Sequence, residues 1–441
     1  MTAVTFKGGV HPPDGKQKTA GIPIEIVEAP EALVIPLSQH IGAPAKPCVE
    51  KGDAVLKGQV IGESTGFVSS RIHASVSGKV LAVEPRPGMM GTDVLSVVIE
   101  NDGEDREIEM KGEGDGWEKA AAETLKKRVQ DAGLVGMGGA TFPTHVKLSP
   151  PPGKPIDTII LNGAECEPML TADHRLMLAS SESVVTGLRI AMKILGAKQG
   201  IIGIEKNKPD AIEVMQGAAH GLSNVTVVPL TVKYPQGAEK QLIDACLGRQ
   251  VPSGGLPMDV GVLVQNVGTA AAMTDAVVSG RPLIERIVTV SGVASRNGGN
   301  FLARIGTPVS LLIEKAGGIQ GELGKLIAGG PMMGFAQHTD EIPVTKGTSG
   351  VLLFSRNELD EHEPDPCIRC GRCIRACPMH ISPTDIAAFS RSGMVAAAAD
   401  ADAMDCIECG SCSFGCPSRL PLVQEIRLVK ALIVQLKRKG K

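Results

Sequence analysis

The chain has 441 residues, 43% of them hydrophobic and 21% charged, with a formal net charge of −3, so length and composition suggest about three ordinary globular domains. So small a net charge leaves no electrostatic footprint for a nucleic acid, and an aromatic content of 2%, with one Trp and one Tyr, offers few platforms for stacking bases. No run approaches the roughly 18 apolar residues that cross a bilayer, Met1 to Gly15 is polar and Gly/Pro-rich with no apolar export segment, and eleven cysteines therefore point to a reducing compartment and not to a disulfide framework.

Residues 1–32 read as an N-terminal segment. From 33 to 100, short Val/Ile-rich strands alternate with Gly-Asp and Ser-Gly turns, the pattern of a small all-β barrel or sandwich. The pattern resembles the barrel-sandwich fold of lipoyl and biotinyl domains, which carry a modifiable Lys at a hairpin tip. The matching stretch here, Glu63 to Ser70, has no Lys, so the expectation is a structural relative without a swinging arm. Asn101 to Gly116 is a charged, Gly-rich linker.

Trp117 to Ala132 has helical periodicity, followed by a Gly-rich loop and a Pro-rich turn at Ser149 to Pro155. Ile156–Leu161, Gly200–Ile204 and Val225–Leu230 read as strands. Glu182–Leu195 and Pro209–Ala219 read as helices. Within 117–250 this alternation predicts a Rossmann-like, three-layer α/β domain with a mostly parallel sheet. Between 281 and 334 strand signals return, clearest at Ile287–Gly292 and Pro308–Ile313, predicting a small β module. An acidic stretch from Asp360 leads into a cysteine-rich segment, 360–421, whose Ala-rich middle (Ser382 to Met404) predicts helices. Residues 422–441 read as an amphipathic helix with a basic run: Arg427, Lys430, Lys437, Arg438, Lys439 and Lys441. Such a run is most often a solvated face, with a modest attraction to anionic lipid as the alternative.

The strongest chemical signal is a repeat. Cys367-x2-Cys370-x2-Cys373-x3-Cys377-Pro378 and Cys406-x2-Cys409-x2-Cys412-x3-Cys416-Pro417 have the same spacing. Three thiolates two residues apart can wrap three corners of one four-iron cubane, and the fourth Cys of each run ligates the other cubane. The expected sets are Cys367, Cys370, Cys373 and Cys416 for one 4Fe–4S cluster, and Cys406, Cys409, Cys412 and Cys377 for a second. Structural zinc normally uses paired CxxC or Cys/His mixtures, not four-Cys runs ending in Cys-Pro. Two adjacent clusters conduct single electrons and need a donor and an acceptor.

Gly136-Met137-Gly138-Gly139-Ala140-Thr141-Phe142-Pro143-Thr144 follows a helix and not a strand, so it fails the context test for a dinucleotide fingerprint. Closely spaced glycines still let backbone N–H groups approach a phosphate or a flat ring, and Lys147 adds a positive charge nearby. Asn162-Gly163-Ala164-Glu165-Cys166-Glu167-Pro168 follows the first buried strand, where α/β sheets bind ligands. Tyr234 to Lys240 and Gln265 to Thr269 are further polar loops next to apolar segments. Cys48 and Cys246 are expected as buried small hydrophobes, and His145, His174 and His380 lack partners at metal spacing.

Taken in order, Gly136–Lys147, Asn162–Pro168, Gly237–Lys240 and Asn266–Thr269 resemble the flavin-binding segments of the NADH-oxidising subunit of respiratory complex I. Over nearly its whole length, from Gly8-Gly9-Val10-His11-Pro12-Pro13 through the unmodified barrel to the two-cluster tail, the chain resembles the RnfC family of Rnf electron-transport complexes. The resemblance implies a multidomain α/β plus β protein with an N-terminal barrel-sandwich hybrid, a Rossmann-like flavin domain, a β-grasp (SLBB-like) module and an α-helical, ferredoxin-like two-cluster domain. It also implies non-covalent FMN, with NAD(H) as substrate. Gly136, Gly138, Gly139 and Lys147 would lie near the FMN phosphate or ring, and Asn162 and Asn266 would hydrogen-bond FMN. Gly237, Glu239, Lys240 and Thr269 would complete the cofactor site, with Glu165 beside the nicotinamide. Met137 and Ala164 stand where complex I subunits place Arg and Asp.

The implied activity is that of one component of a ferredoxin:NAD+ oxidoreductase and ion translocase, held peripherally on the cytoplasmic face of the cell membrane. Its implied partners are a membrane-embedded part and an iron–sulfur, ferredoxin-interacting subunit. Two alternatives remain at this point. One is a cobalamin reductase of the related microcompartment family, although there the flavin domain comes first. The other is a non-catalytic iron–sulfur scaffold without functional flavin.

Overall fold

The computed structural model describes residues 3–439; Gly440 and Lys441 of the expected C-terminal helix lie outside them. In the N-terminal barrel, Ala32–Pro36 and Asp93–Asn101 pair antiparallel with Leu33 opposite Ile99 and Ile35 opposite Val97, all four fully buried. Alternate residues thus face one core, as period-two strands require. Gly78–Pro87 and Ala54–Val55 complete that sheet, and Lys46–Pro47, Val60–Glu63 and Ile72–His73 form the second. The hairpin tip that carries a modified Lys in lipoyl-type barrels rests on the next domain, where the His145 ring nitrogen hydrogen-bonds the Phe67 carbonyl at 3.0 Å. Cys48, expected in a core, is exposed: it lies at the rim of the smaller sheet, where its backbone N–H donates to the Ile61 carbonyl and its thiol to the Val60 carbonyl.

The α/β domain has four parallel strands in the spatial order Val225–Leu230, Gln199–Glu205, Thr158–Gly163, Val262–Asn266. The chain builds outward from the first strand in one direction, then returns to place the last strand on its other side. The fork between Thr158–Gly163 and Val262–Asn266 is therefore a topological switch point, where carboxyl ends open a crevice. The helices Ser181–Leu195 and Val267–Thr274 pack closely, and Gly187 makes this possible: a Cβ there would lie 1.8 Å from the Ala270 carbonyl oxygen. The helix expected from Trp117 is two pieces, a 3₁₀ turn at Gly114–Lys119 and an α-helix at Ala122–Asp131. Barrel and α/β domain share one continuous hydrophobic core, from Leu33 and Ile61 to Leu125, Ile159 and Leu188.

The β module departs from expectation twice. Pro308–Ile313, read as a strand, is the start of a helix, Val309–Lys315. Its buried residues Val309, Leu312, Ile313 and Ala316 fall at helical spacing, a period that a six-residue apolar window does not separate from a strand. The module's six-stranded sheet also draws strands from outside 281–334. Ile24–Ile26 pairs parallel with Gly299–Arg304, and Gly350–Ser355 lies in its interior.

In the cysteine-rich segment the helices Pro383–Arg391 and Val395–Asp400 pack with the long C-terminal helix Leu422–Lys439. Among the described residues no helix is long and apolar enough to cross a membrane.

Candidate functional site

At the switch point, Asn162 and Asn266 lie in register on adjacent strands. Asn266 caps the helix that follows: its side-chain oxygen accepts from the Gly268 N–H at 2.8 Å, and its amide donates to Asp173 at 2.7 Å. Asn162 holds two loops together, donating to the Gly237 carbonyl at 2.8 Å and accepting from the Ala164 N–H. The Gly237 N–H in turn donates to the Cys166 sulfur at 3.3 Å. The glycine-rich loop lies over this fork. The Met137 N–H donates to the Thr269 hydroxyl at 2.9 Å, and a Cβ on Gly138 would lie 2.8 Å from the Asn266 amide nitrogen. The loop then opens, since a Cβ on Gly139 would meet nothing within 4 Å. Lys147 spans the fork, donating to Glu239 at 3.1 Å and to the Val264 carbonyl at 3.0 Å. Lys240 points away from it, toward the Pro252 carbonyl.

Beneath the loops lies a buried set of charges of which sequence reasoning named Glu165 but not Lys16, Lys208 or Arg286. Lys16, from the N-terminal segment, donates to the carbonyls of Glu165, Glu167 and Leu170 at 2.9, 2.9 and 2.5 Å, and its ammonium is 3.8 Å from the Glu165 carboxylate. Glu165 adopts a left-handed backbone (φ 47°). One of its oxygens accepts from the Asp173 N–H, while the other is buried without a hydrogen bond and faces the Lys16 ammonium at 3.8 Å. Burial, reinforced by Asp173 and opposed by Lys16, pushes the Glu165 carboxyl up to about 7. Lys208, fully buried, donates to the Ala164 carbonyl at 2.7 Å. Met137 gives the glycine loop no cation of its own, but Arg286 of the β module donates to the Met137 carbonyl at 2.8 Å and lines a cavity of about 100 Å³ with Asp173 and Gly268. No local pattern marks Lys16 or Arg286, because their partners lie about 150 residues away in sequence.

These groups fit a flat, hydrogen-bonding, anionic ligand. The glycine loop is packed over the strand ends where Asn162 and Asn266 lie in register, and Met137, Asp173, Gly268 and Arg286 line the cavity beside it.

The two cysteine runs fold as near-copies. Arg369 and Glu408, at matching positions, both adopt positive φ (56° and 58°), and so do Gly371 and Gly410 (68° and 78°) and His380 and Arg419 (58° and 53°). Left-handed non-glycine residues are uncommon, so their recurrence marks one loop shape imposed twice. The chain also crosses over. The Asp365 N–H donates to the Ser418 carbonyl and the Ser418 hydroxyl to the Pro366 carbonyl, each at 3.0 Å, which lays the start of the first run beside the end of the second. Cys377, Cys406, Cys409 and Cys412 line one cavity, closed by Ile381, Val423 and Ile426. Cys416 packs instead against the small core containing Cys373, while Cys367 and Cys370 are exposed. Among the described residues no three His, Cys, Asp or Glu side chains gather as around a single ion; the thiols surround a space, and a cubane is a ligand of that shape. Burial pushes Cys406 up to about 11 and Cys412 up to about 12, a bias that a bound cation reverses.

The crevice and the enclosed cysteine cavity share a seam. The Tyr234 hydroxyl, fully buried, donates to the Cys409 carbonyl at 2.8 Å. Gln241 donates to the Pro378 carbonyl at 3.1 Å, and the Gly9 N–H to the Ala376 carbonyl at 2.9 Å. The Glu167 carboxylate receives the Met332 and Met333 N–H groups at 3.0 Å.

Family models match in chain order: an RnfC barrel sandwich hybrid domain over residues 4–104, a Nuo51 FMN-binding domain over 129–275, an SLBB domain over 287–336 and a 4Fe-4S dicluster domain over 366–420. One subunit of the Na(+)-translocating ferredoxin:NAD(+) oxidoreductase complex of Acetobacterium woodii is 52% identical over 99% of this chain and 98% of its own length. Its counterpart in the proton-translocating ferredoxin:NAD(+) oxidoreductase complex of Clostridium ljungdahlii is 51% identical over 97% and 93%. The counterpart in the ion-translocating oxidoreductase complex of Rhodobacter capsulatus is 43% identical over 98% and 83%. Among solved structures, a polypeptide of an NAD+-reducing [NiFe]-hydrogenase in the air-oxidized state superposes with a TM-score of 0.51 at 19% identity, over 73% of this chain and 64% of that one. That likeness speaks to the fold, and spans less than two thirds of the hydrogenase polypeptide.

Proposed function

Because this chain belongs to the RnfC family of Rnf-type ion-translocating oxidoreductase complexes, we propose that it moves electrons between NAD(H) at the switch-point crevice and the two cysteine-lined sites. It is an FMN and two-cluster 4Fe–4S subunit of an oxidoreductase, working with other subunits of a complex. The cobalamin-reductase alternative gives way to the barrel that precedes the flavin domain, and the flavinless scaffold to the FMN-domain match.

FMN supplies what the protein's own side chains cannot, taking two electrons from a hydride together and releasing them singly. The residues around it hold and orient. The Gly136–Gly139 backbone, with Gly138 seated on Asn266, is the expected cradle for the flavin. Asn162, Asn266 and Thr269 fix the loops that form its walls, and Lys147, Gly237 and Glu239 brace the fork. Glu165, protonated near neutrality through burial, lies at the floor where the nicotinamide would stack. Cys377, Cys406, Cys409 and Cys412 would hold the inner cluster. Cys367, Cys370, Cys373 and Cys416 would hold the outer one.

The observation that carries the reading is the Tyr234–Cys409 hydrogen bond. It joins the polar loop of the flavin domain directly to the backbone of the inner cysteine loop. The proposed order is NAD(H), FMN, inner cluster, outer cluster, partner, with net flow from reduced ferredoxin to NAD+ in the assembled complex. The peripheral site on the cytoplasmic membrane face, the membrane-embedded partner and the iron–sulfur partner belong to this proposal.

Anaerobic purification with iron, sulfide and flavin quantified, followed by NADH addition, tests it. The expected result is about eight iron per chain for two four-iron clusters, bound FMN, and visible bleaching on NADH. Eight iron with no flavin, and no bleaching after FMN is added, would sink the NAD(H) claim.

A further inference from the structure

Residues 14–19 of the N-terminal segment run along the loop 165–171, which follows the first strand of the α/β domain. The Met169 N–H donates to the Asp14 carbonyl at 2.6 Å, and a Cβ on Gly15 would lie 2.9 Å from the Met169 side chain. The Thr171 hydroxyl donates to the Thr19 hydroxyl at 2.8 Å. Between these contacts Lys16 turns inward and is 6% exposed. Its three carbonyl acceptors, on Glu165, Glu167 and Leu170, fix its charge by geometry, because a neutral amine has two N–H donors and an ammonium has three. The loop it closes is strained. Glu165 and Met169 are both left-handed, at φ 47° and 66°, a conformation that persists only where surrounding contacts impose it. The charge itself is loosely claimed. All three N–H groups are spent on carbonyls, so the Glu165 carboxylate at 3.8 Å is attracted without a hydrogen bond. The other ionisable neighbours are engaged or neutral. Lys208 lies 3.5 Å from Glu205, Asp173 takes the Asn266 amide, Glu167 takes the Met332 and Met333 N–H groups, and burial pushes the Cys166 thiol up to about 12.

We infer that Lys16 sets the reduction potential of the bound flavin, as a fixed cation that the N-terminal segment places beneath the floor of the crevice. The inference rests on the flavin reading proposed above and assigns the segment a part in it. Reduction of FMN by two electrons and one proton leaves it one unit more negative than before. The electrons come from NADH or from the clusters, and the proton from solvent. A positive charge already in place favours that product over the oxidised form, and burial keeps water and salt from screening it. Three backbone carbonyls hold the ammonium, so it need not reorganise when the charge arrives. The protein therefore binds reduced FMN more tightly than oxidised FMN, which raises the potential of the bound flavin. Lys18, two residues on, makes the contrast. Its ammonium also donates to backbone carbonyls, those of Gly292 and Ser295, but these belong to the β module and not to the crevice floor.

The test uses the intact anaerobic protein loaded with FMN. The flavin midpoint potential is read by reductive titration against indicator dyes, with the deflavinated protein as the blank for cluster absorbance. K16M removes the charge and keeps the length of the side chain, K16R keeps the charge, and K18M removes the neighbouring ammonium. Each is made in the parent and again in E165Q, where no carboxyl at that position can take up a proton and offset the lost charge. K16M should lower the potential by about 30 mV or more, the equivalent of a tenfold loss of preference for reduced FMN in a two-electron couple. K16R and K18M should stay near the parental value. A flavin-loaded K16M at the parental potential in both backgrounds overturns the inference. K16R as low as K16M overturns it too, since the charge would then be immaterial. So does K18M falling as far as K16M, since docking of the segment would then be the cause. If K16M does not retain FMN, the parent's own dissociation constants decide. The parent should hold reduced FMN more tightly than oxidised FMN by about tenfold or more, and equal or reversed affinities overturn the inference. A parent that binds FMN in neither form refutes the flavin reading itself.

Discussion

The two cysteine loops are one backbone in two settings. Both place a non-glycine residue in the left-handed region between the first two cysteines and a glycine after the second. The inner loop is enclosed. Its Glu408 is paired with Arg427 and Lys430, its Cys409 carbonyl takes the Tyr234 hydroxyl, and Gly410 packs against the Met332 carbonyl, 3.1 Å from where a Cβ would be. The outer loop has two of its cysteines in solvent and its arginines unpaired by any carboxylate among the described residues. Ligand spacing dictates the shared shape, and the residues between the cysteines differ between the loop that packs on the α/β domain and the loop that stays exposed.

The sharpest way to break this comparison is to remove one ligand from each loop. Cys409→Ala should disconnect the flavin from both clusters, so that NADH reduces neither and the cluster absorbance bleach is lost. Cys367→Ala should spare the inner site, so that about half of the bleach persists while transfer to a protein acceptor falls by orders of magnitude, as expected for two clusters in series. Iron content and electron paramagnetic resonance of the NADH-reduced proteins separate the two cases. Equal bleaching in the two variants would show that the loops are not ordered as inner and outer.

A smaller effect concerns the seam alone. Burial pushes the Glu167 carboxyl up to about 7, against the N–H groups of Met332 and Met333 that favour its charged form. Its folded value lies above the ordinary glutamate value of 4.5, so the native state holds the proton longer. The associated stability is complete below the unfolded value and is lost as pH rises through about 7. Between pH 6 and pH 8 this one group should lower stability by about 1 kcal/mol, and Glu165, raised to a similar value, adds to the same slope. Glu167→Gln should therefore reduce the change in urea midpoint between those pH values by roughly half, beside a constant cost from losing one acceptor. An unchanged slope would mean that Glu167 does not titrate in the seam.

Much of this is legible in the sequence because it is local. Cysteine spacing announces the cluster runs, and the strand–helix alternation between Ile156 and Leu230 announces the parallel sheet on whose switch point Asn162 and Asn266 meet. What stays hidden depends on distance or on context. Lys16 acquires its place only when the N-terminal segment folds over a loop about 150 residues away. Arg286 supplies from another module the cation that Met137 lacks. The strand Ile24–Ile26 finds its partner at Asn300 to Leu302. Val309–Lys315 reads as a strand because its burial repeat becomes visible only when Ala316 is counted with the run. The left-handed backbone at Arg369 and Glu408 leaves no mark at all, since neither residue type prefers it.

The C-terminal helix repeats the contrast between enclosed and open within one element, and gives the smallest of the expected effects. By composition it is a helix with a basic run, and a solvated face is the ordinary reading. The structure divides the run. Lys430 donates to the Cys406 carbonyl at 2.7 Å and to Glu408 at 2.5 Å, so it secures the inner loop, whereas Lys437 is exposed. A hydrogen bond from a charged donor to a half-buried acceptor contributes about 1–3 kcal/mol, while an exposed lysine contributes within about 0.5 kcal/mol. Lys430→Met should therefore speed anaerobic iron release to a chelator several-fold, because the Cys406 carbonyl and Glu408 lose their donor together. Lys437→Met should release iron at the parental rate. If the two variants behave alike, the helix is a solvated cover as its composition suggests, and the enclosure of the inner loop comes from the flavin-domain seam alone.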